Sequence, residues 1–181
     1  MIVESYSTTL CSILITNMKL VISFLLGMTL LLILGLFALS FFDKSETPQI
    51  STYSKTDDLK PKLEIADTYY DLGTINVKNV ATKDFVVKNS GQKPLQLSNV
   101  NSNCGCTSAK IISEGVETKE SGMHRISPVV TEVAPGTEVT VRVIYRPFTM
   151  PVYGVVTREV YLDTNDPNLS KLILRIKANV K

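Results

Sequence analysis

Leu172, Leu174, Ile176, Ala178 and Val180 take every second position near the C-terminus, with Ile173, Arg175, Lys177, Asn179 and Lys181 between them. Successive side chains of a strand point to opposite faces, so this period predicts a strand with one face buried. The same alternation recurs in Val139, Val141, Val143 and Tyr145, separated by Thr140, Arg142 and Ile144. A third case is Val156, Val160 and Leu162, where Arg158 interrupts the apolar face. Shorter strands are expected over Leu63 to Ala66, Thr82 to Lys88 and Leu95 to Val100. Turn signals punctuate the region at Asp71-Leu72-Gly73, Asn89-Ser90-Gly91, Ala134-Pro135-Gly136 and Asn165-Asp166-Pro167, where glycine admits positive φ and proline fixes it. No long stretch has the helical period. About seven short strands in roughly 120 residues predict an all-β fold, an antiparallel immunoglobulin-like β-sandwich. Without Trp, and without two well-separated cysteines in this region, the antibody-type Cys/Trp/Cys core is excluded, so apolar burial must hold the sheets together.

The chain before the sandwich is of another kind. Leu20 to Phe42 holds no charged residue, and its only polar side chains are Ser23, Thr29 and Ser40. At the helical rise this run is about 34 Å long, enough to cross a hydrocarbon core of roughly 30 Å with some tilt. It is expected to be a transmembrane helix over residues 20–42. A cleaved signal peptide is the alternative, with Met18-Lys19 as a short charged start and a small-x-small site at Ala38-Leu39-Ser40, giving secretion after cleavage near Ser40. The apolar run exceeds the roughly 7 to 15 residues usual for such a region, which favours a retained signal-anchor. Residues 1–19 are then a short N-terminal segment with Met18 as an alternative start. Residues 43–62, rich in Ser, Thr, Lys, Asp and Pro, read as a flexible linker. Residues 63–181 form the domain.

Composition narrows the function. The 181 residues carry 19 Lys+Arg against 17 Asp+Glu, one His and three Cys. Basic residues are scattered rather than clustered, so nucleic acid is not an expected partner. One histidine leaves little material for a catalytic triad, and two nearby cysteines do not close a four-ligand zinc site. No catalytic residue and no cofactor are expected, and the chain is not expected to be an enzyme. Thr107 and Ser108 have no evident base beside them.

The string of motifs Tyr70-Asp71-Leu72-Gly73-Thr74-Ile75, Phe85-Val86-Val87-Lys88-Asn89-Ser90-Gly91, Pro94-Leu95, Asn103-Cys104-Gly105-Cys106-Thr107, Ala134-Pro135-Gly136 and Thr164-Asn165-Asp166-Pro167 resembles the bacterial DUF1573 family. The likeness spans residues 63–181, and Cys-Gly-Cys-Thr is its most specific piece. It implies an immunoglobulin-like domain akin to ASH/MSP/Hydin domains, standing behind a signal peptide or anchor outside the cytoplasm, in the periplasm or at the cell surface. It implies no particular activity. Ser113 to Ser127 departs from the family as a polar insertion, expected to be a surface loop.

Any chemistry falls to Cys104 and Cys106, and four readings stand beside one another. They can form a disulfide, structural or redox-active, in an oxidising compartment. They can bind a soft metal as thiolates, with His124 as a third candidate ligand and Met150 as a fourth. They can join anchored copies through intermolecular disulfides. They can also pack as small hydrophobes at the rim of the sandwich. The leading expectation is a membrane-anchored binding or structural module that meets an unknown protein partner at an exposed sheet edge or face. The rival is a thiol-dependent metal-binding or redox protein that uses the Cys-Gly-Cys turn.

Overall fold

The computed structural model describes Lys19, residues 22–35, Phe37, residues 49–124 and residues 130–181. The chain divides into two compact units, Met1–Thr47 and Pro48–Lys181. In the first, residues 22–35 are helical and every side chain among them is exposed. Among the described residues no helix is long and apolar enough to cross a membrane. The flanks of the expected 20–42 span, and Cys11, lie outside the described residues.

The second unit is a two-sheet β-sandwich. Its strands are β1 (Leu63–Ile65), β2 (Tyr69–Ile75), β3 (Ala81–Asn89), β4 (Leu95–Ser102), β5 (Thr107–Ser113), β6 (Val116–Glu117), β7 (Ser121–Gly122), β8 (Thr131–Val133), β9 (Glu138–Tyr145), β10 (Gly154–Thr164) and β11 (Lys171–Val180). Seven of these have seven or more residues and the other four have two or three, so the expected seven-strand frame carries short additions. One sheet has the order β1-β3-β9-β5-β6, with β7 also paired to β5; the other has the order β2-β11-β10-β4-β8. With β1, β3, β4, β5, β9, β10 and β11 lettered A to G, these are the A-B-E-D and C-F-G sheets of an immunoglobulin sandwich, with β2 added at the edge beside G.

The alternating residues fill the space between the sheets. Leu172, Leu174, Ile176, Ala178 and Val180 are buried, as are Val139, Val141 and Val143 of β9 and Phe85 and Val87 of β3. Leu95, Leu97, Val160 and Leu162 complete the centre.

Three local expectations need correction. Asp71-Leu72-Gly73 is not a turn between strands but lies inside β2, which runs parallel to β11 in an otherwise antiparallel frame. Its signal is a bulge: Lys177 faces Asp71 and Asn179 faces Thr74, so one extra residue is absorbed at Gly73, whose φ is +69°. The Asp71 carboxylate accepts the Gly73 N–H at 2.9 Å.

The insertion beginning at Ser113 is not simply a surface loop either. Glu114 and Gly115 both have positive φ, as a two-residue type I′ connection requires, and they turn β5 into β6. The chain then returns along β5, pairing Ser121 with Ala109 and Gly122 with Ser108. Residues 125–129 lie outside the described residues.

The compact unit also begins before the expected domain start at residue 63. The Gln96 amide explains this contact: its oxygen accepts the Ser51 N–H at 2.7 Å and its nitrogen donates to the Gln49 carbonyl at 3.2 Å.

The two ends of the sandwich differ in kind. At one, Asn89 is fully buried, and its side-chain nitrogen donates to the carbonyls of Lys93 (2.8 Å) and Val133 (2.9 Å). Its oxygen accepts the N–H groups of Lys62 (3.3 Å) and Gly91 (2.9 Å). Nearby, buried Asp166 accepts the Leu63 N–H at 2.8 Å and the Asn168 N–H at 2.8 Å, and Asn165 accepts the Gln96 N–H at 2.8 Å. Buried polar atoms stabilise a fold only when partnered, and here the turn motifs partner one another. At the other end of β9, Tyr145 pairs with both Ala81 and Thr107, which brings the Cys-Gly-Cys turn to the opposite pole.

Candidate functional site at the Cys-Gly-Cys pole

The turn between β4 and β5 is held by backbone bonds before any side-chain chemistry begins. Thr107 N–H donates to the Cys104 carbonyl at 3.1 Å, and Arg146 N–H donates to the Cys106 carbonyl at 2.8 Å. Asn103 and Glu159 exchange two bonds, one to the Glu159 carbonyl at 3.1 Å and one from its N–H to the Asn103 side chain at 3.0 Å. The Ser102 hydroxyl lies 2.9 Å from the Cys104 carbonyl and 2.7 Å from that of Thr107, and it accepts the Met123 N–H at 3.0 Å. One buried serine thus ties the inserted hairpin to the cysteine turn. The approach is close: a Cβ on Gly122 would stand 2.8 Å from the Thr107 carbonyl oxygen, so that position needs glycine.

Cys104 and Cys106 are joined by a disulfide across a Cα separation of 5.2 Å, and both are buried. The Cys106 N–H points at the Cys104 sulfur from 3.1 Å. Four further groups surround the pair. Met150, which follows the 3-10 turn Pro147–Thr149, places its Sδ 3.8 Å from Cys104 Sγ. The His124 ring lies over Gly105, with Nε2 3.2 Å and Cδ2 3.3 Å from where a Cβ would be, and Met150 Sδ is 3.7 Å from the same point. Arg158 Nε is 3.2 Å from Cys106 Sγ, and its guanidinium stands 5.8 Å from the centre of the Tyr145 ring. Tyr145 is fully buried, and its hydroxyl has no hydrogen-bond partner among the described residues.

Beside the turn is a recess of about 240 Å³ lined in part by Gly105, Thr107, Ser108, Glu120, His124 and Arg146. Arg146 grips Glu120 with two bonds of 2.9 and 2.8 Å, and Ser108 donates to Glu120 at 3.0 Å. The Arg146 hydrogen bond, with a smaller one from Ser108, holds the Glu120 carboxyl below its ordinary range. A carboxylate held ionised in this way is a weak proton acceptor, so it does not activate Ser108. Thr107 is buried, and its hydroxyl lies 3.7 Å from the Cys106 sulfur.

The three metal candidates of the sequence, Cys104, Cys106 and His124, therefore lie around one glycine, and Met150 joins them. Sequence reading missed Arg158 as a member of the site. Its signal was present as the charge that breaks the apolar face of β10, and that charge is turned to the Cys106 sulfur.

Residues 63–127 match the DUF1573 family, described as a protein of unknown function. The DUF1573 segment thus covers β1 to β7, including the Cys-Gly-Cys turn and His124, while Met150 and Arg158 lie beyond it. No curated protein matches the chain. Among solved structures, a Porphyromonas gingivalis protein of unknown function aligns at 20% identity and a TM-score of 0.52, covering 67% of this chain and 47% of that one. The chain spans about half the length of that protein, and the likeness is one of fold. An ASH/PapD-like domain of human CEP192 aligns at 12% identity and a TM-score of 0.44, over 74% of this chain and 98% of that one. The Escherichia coli chaperone DraB aligns at 10% identity and a TM-score of 0.39, over 66% of this chain and 56% of that one.

Proposed function

We propose that this protein is a single-pass, membrane-anchored module that presents its sandwich outside the cytoplasm and binds an extended segment of a partner protein. The observation that carries the binding reading is β2, a seven-residue strand at the edge of its sheet. The other terminal strands, β1, β6 and β8, have only two or three residues. A long edge strand offers unpaired backbone groups to an incoming strand, and side chains at its face then select the partner. Tyr69 and Tyr70 are exposed on opposite faces of β2, and Lys83 Nζ stands 4.0 Å from the centre of the Tyr70 ring, so aromatic side chains flank the edge with a cation beside one of them. Phe85, by contrast, is core.

The anchor reading is supported by the helix over 22–35, whose side chains Phe24, Leu26, Leu31 and Ile33 are each more than 60% exposed. A helix that is apolar all round is stable when surrounded by apolar material, and a bilayer provides it. Orientation is supported by the family resemblance and by the disulfide, which persists in oxidising compartments.

Two measurements test the reading. Protease added to spheroplasts should digest the sandwich, and a protected sandwich would refute the orientation. A photocrosslinking residue at Tyr69 should trap a partner from membranes that the same residue at Val116, exposed in the other sheet, does not. Equal trapping at both positions would refute the β2 edge as the binding surface.

A further inference from the structure

We propose that the Cys-Gly-Cys pole is a redox-gated site for a soft monovalent ion, Cu(I), with Cys104, Cys106, Met150 and His124 as its ligands. The inference is independent of the anchor and of the β2 edge.

The argument starts from the number and type of donors. Among the described residues no three His, Cys, Asp or Glu side chains stand together as a metal cage. Counting the thioether changes the set. Met150 Sδ is 3.8 Å from Cys104 Sγ, and two sulfurs bound at about 2.3 Å to one tetrahedral ion stand about 3.8 Å apart. Thiolate and thioether ligands suit soft ions, and a thioether in the set favours Cu(I), the softest of those that thiolates bind. The His124 ring lies over the glycine that separates the two cysteines, and Met150 Sδ approaches the same point, so the imidazole and the thioether close over one turn. The pole is accessible from outside, since Met150 and His124 are exposed while the cysteines lie beneath them.

Charge balance gives a second line. Two thiolates and one Cu(I) carry a net charge of minus one, which is costly to bury unless a cation faces it. Arg158 Nε is already 3.2 Å from Cys106 Sγ. In the disulfide form that guanidinium faces a neutral sulfur, and in the dithiolate form it faces the charge that needs it. Arg158 is half-buried and its Nη1 donates to the Thr157 carbonyl at 3.1 Å, which leaves Nε turned to the dithiolate.

The cycle balances. A dithiol reductant donates two electrons and two protons, the Cys104–Cys106 bond breaks, and the reductant leaves as its own disulfide. Binding of Cu(I) then displaces both thiol protons to solvent, because the thiolate is the ligand. A disulfide oxidant then accepts two electrons from the pair and two protons from solvent, leaving as two thiols while the Cys104–Cys106 bond re-forms; this removes two of the four donors and releases Cu(I).

The test uses the full chain in detergent, reduced, freed of reductant without oxygen, and titrated with Cu(I) against a chromophoric Cu(I) chelator. The expected result is one Cu(I) per reduced chain, none per oxidised chain, and none for Cys104→Ser/Cys106→Ser. Met150→Leu and His124→Asn leave both cysteines in place and keep the fold, and each should weaken binding at least tenfold. X-ray absorption of the loaded protein should show sulfur neighbours dominating the copper shell. The site as drawn is overturned if reduced wild type binds no more Cu(I) than the double serine variant, if Met150→Leu or His124→Asn binds as tightly as wild type, or if Zn(II) displaces Cu(I).

Discussion

The two poles of the sandwich use polar and polarisable side chains in opposite ways. At the Asn89 pole, buried amides and a carboxylate are bonded to backbone groups of neighbouring turns, and Asn89 alone makes four such bonds. At the Cys104 pole, sulfur, imidazole and guanidinium converge, and the buried Tyr145 hydroxyl has no partner among the described residues. A fully partnered pole is architecture, whereas donors gathered without mutual satisfaction are available to something else. The contrast separates residues that hold the fold from residues free to act.

The largest effect that sharpens this contrast is expected from Gly91→Ala at the bonded pole. The new Cβ would lie 2.4 Å from the Lys60 carbonyl oxygen and 2.4 Å from the Lys62 nitrogen, both backbone atoms. Chemical denaturation should show a loss of about 3 kcal/mol or more, in the range for strain at a packed site. Gly105→Ala at the other pole meets only the side chains of His124 and Met150, which can move, so the loss should be under about 1 kcal/mol. Equal losses would break the comparison.

Asn89→Ala should cost about 2 to 4 kcal/mol, because it leaves several buried backbone groups unpartnered. Reducing the Cys104–Cys106 disulfide should cost at most about 1.6 kcal/mol, since it closes a loop of only three residues. The reduced sandwich should therefore stay folded in thermal melts. Unfolding on reduction would make the disulfide a staple rather than a gate.

Acid should act weakly at the cysteine pole. Glu120 has its folded pKa depressed by Arg146, so its contribution is present above the unfolded value of about 4.3 and is lost as pH falls through the lower folded value. Both partners are about one-third exposed, and screening limits the effect to no more than about 1 kcal/mol. Glu120→Gln should lower the stability above pH 6 by no more than about 1 kcal/mol and remove that part of the acid dependence of the denaturation midpoint. The smallest effect belongs to Tyr145→Phe. It deletes a hydroxyl without a partner among the described residues, so stability should change by less than about 0.5 kcal/mol. A loss near 2 kcal/mol would mean that the hydroxyl is bonded after all.

Much of this was legible in the chain itself. The period of two marked the strands that bury Leu172 to Val180 and Val139 to Val143, because the core face of a strand must be apolar at alternate positions. The Asn89-Ser90-Gly91 and Asn165-Asp166-Pro167 motifs marked chain reversals, though not that their side chains would be buried and shared. Asp71-Leu72-Gly73 carried turn chemistry that the fold used as a bulge, since a positive φ serves either purpose and only the pairing with β11 selects between them.

The sequence by itself determined the all-β sandwich, its apolar core and the presence of a Cys-Gly-Cys turn, since these depend on local period and local spacing. The tertiary structure alone decided that Met150, His124 and Arg158 gather at that turn. Met150 and Arg158 lie 46 and 52 residues from the cysteines they approach, and His124 lies 19 residues from Gly105. Contacts over such separations follow from strand order and from a hairpin folding back along β5, which no local pattern in the chain specifies.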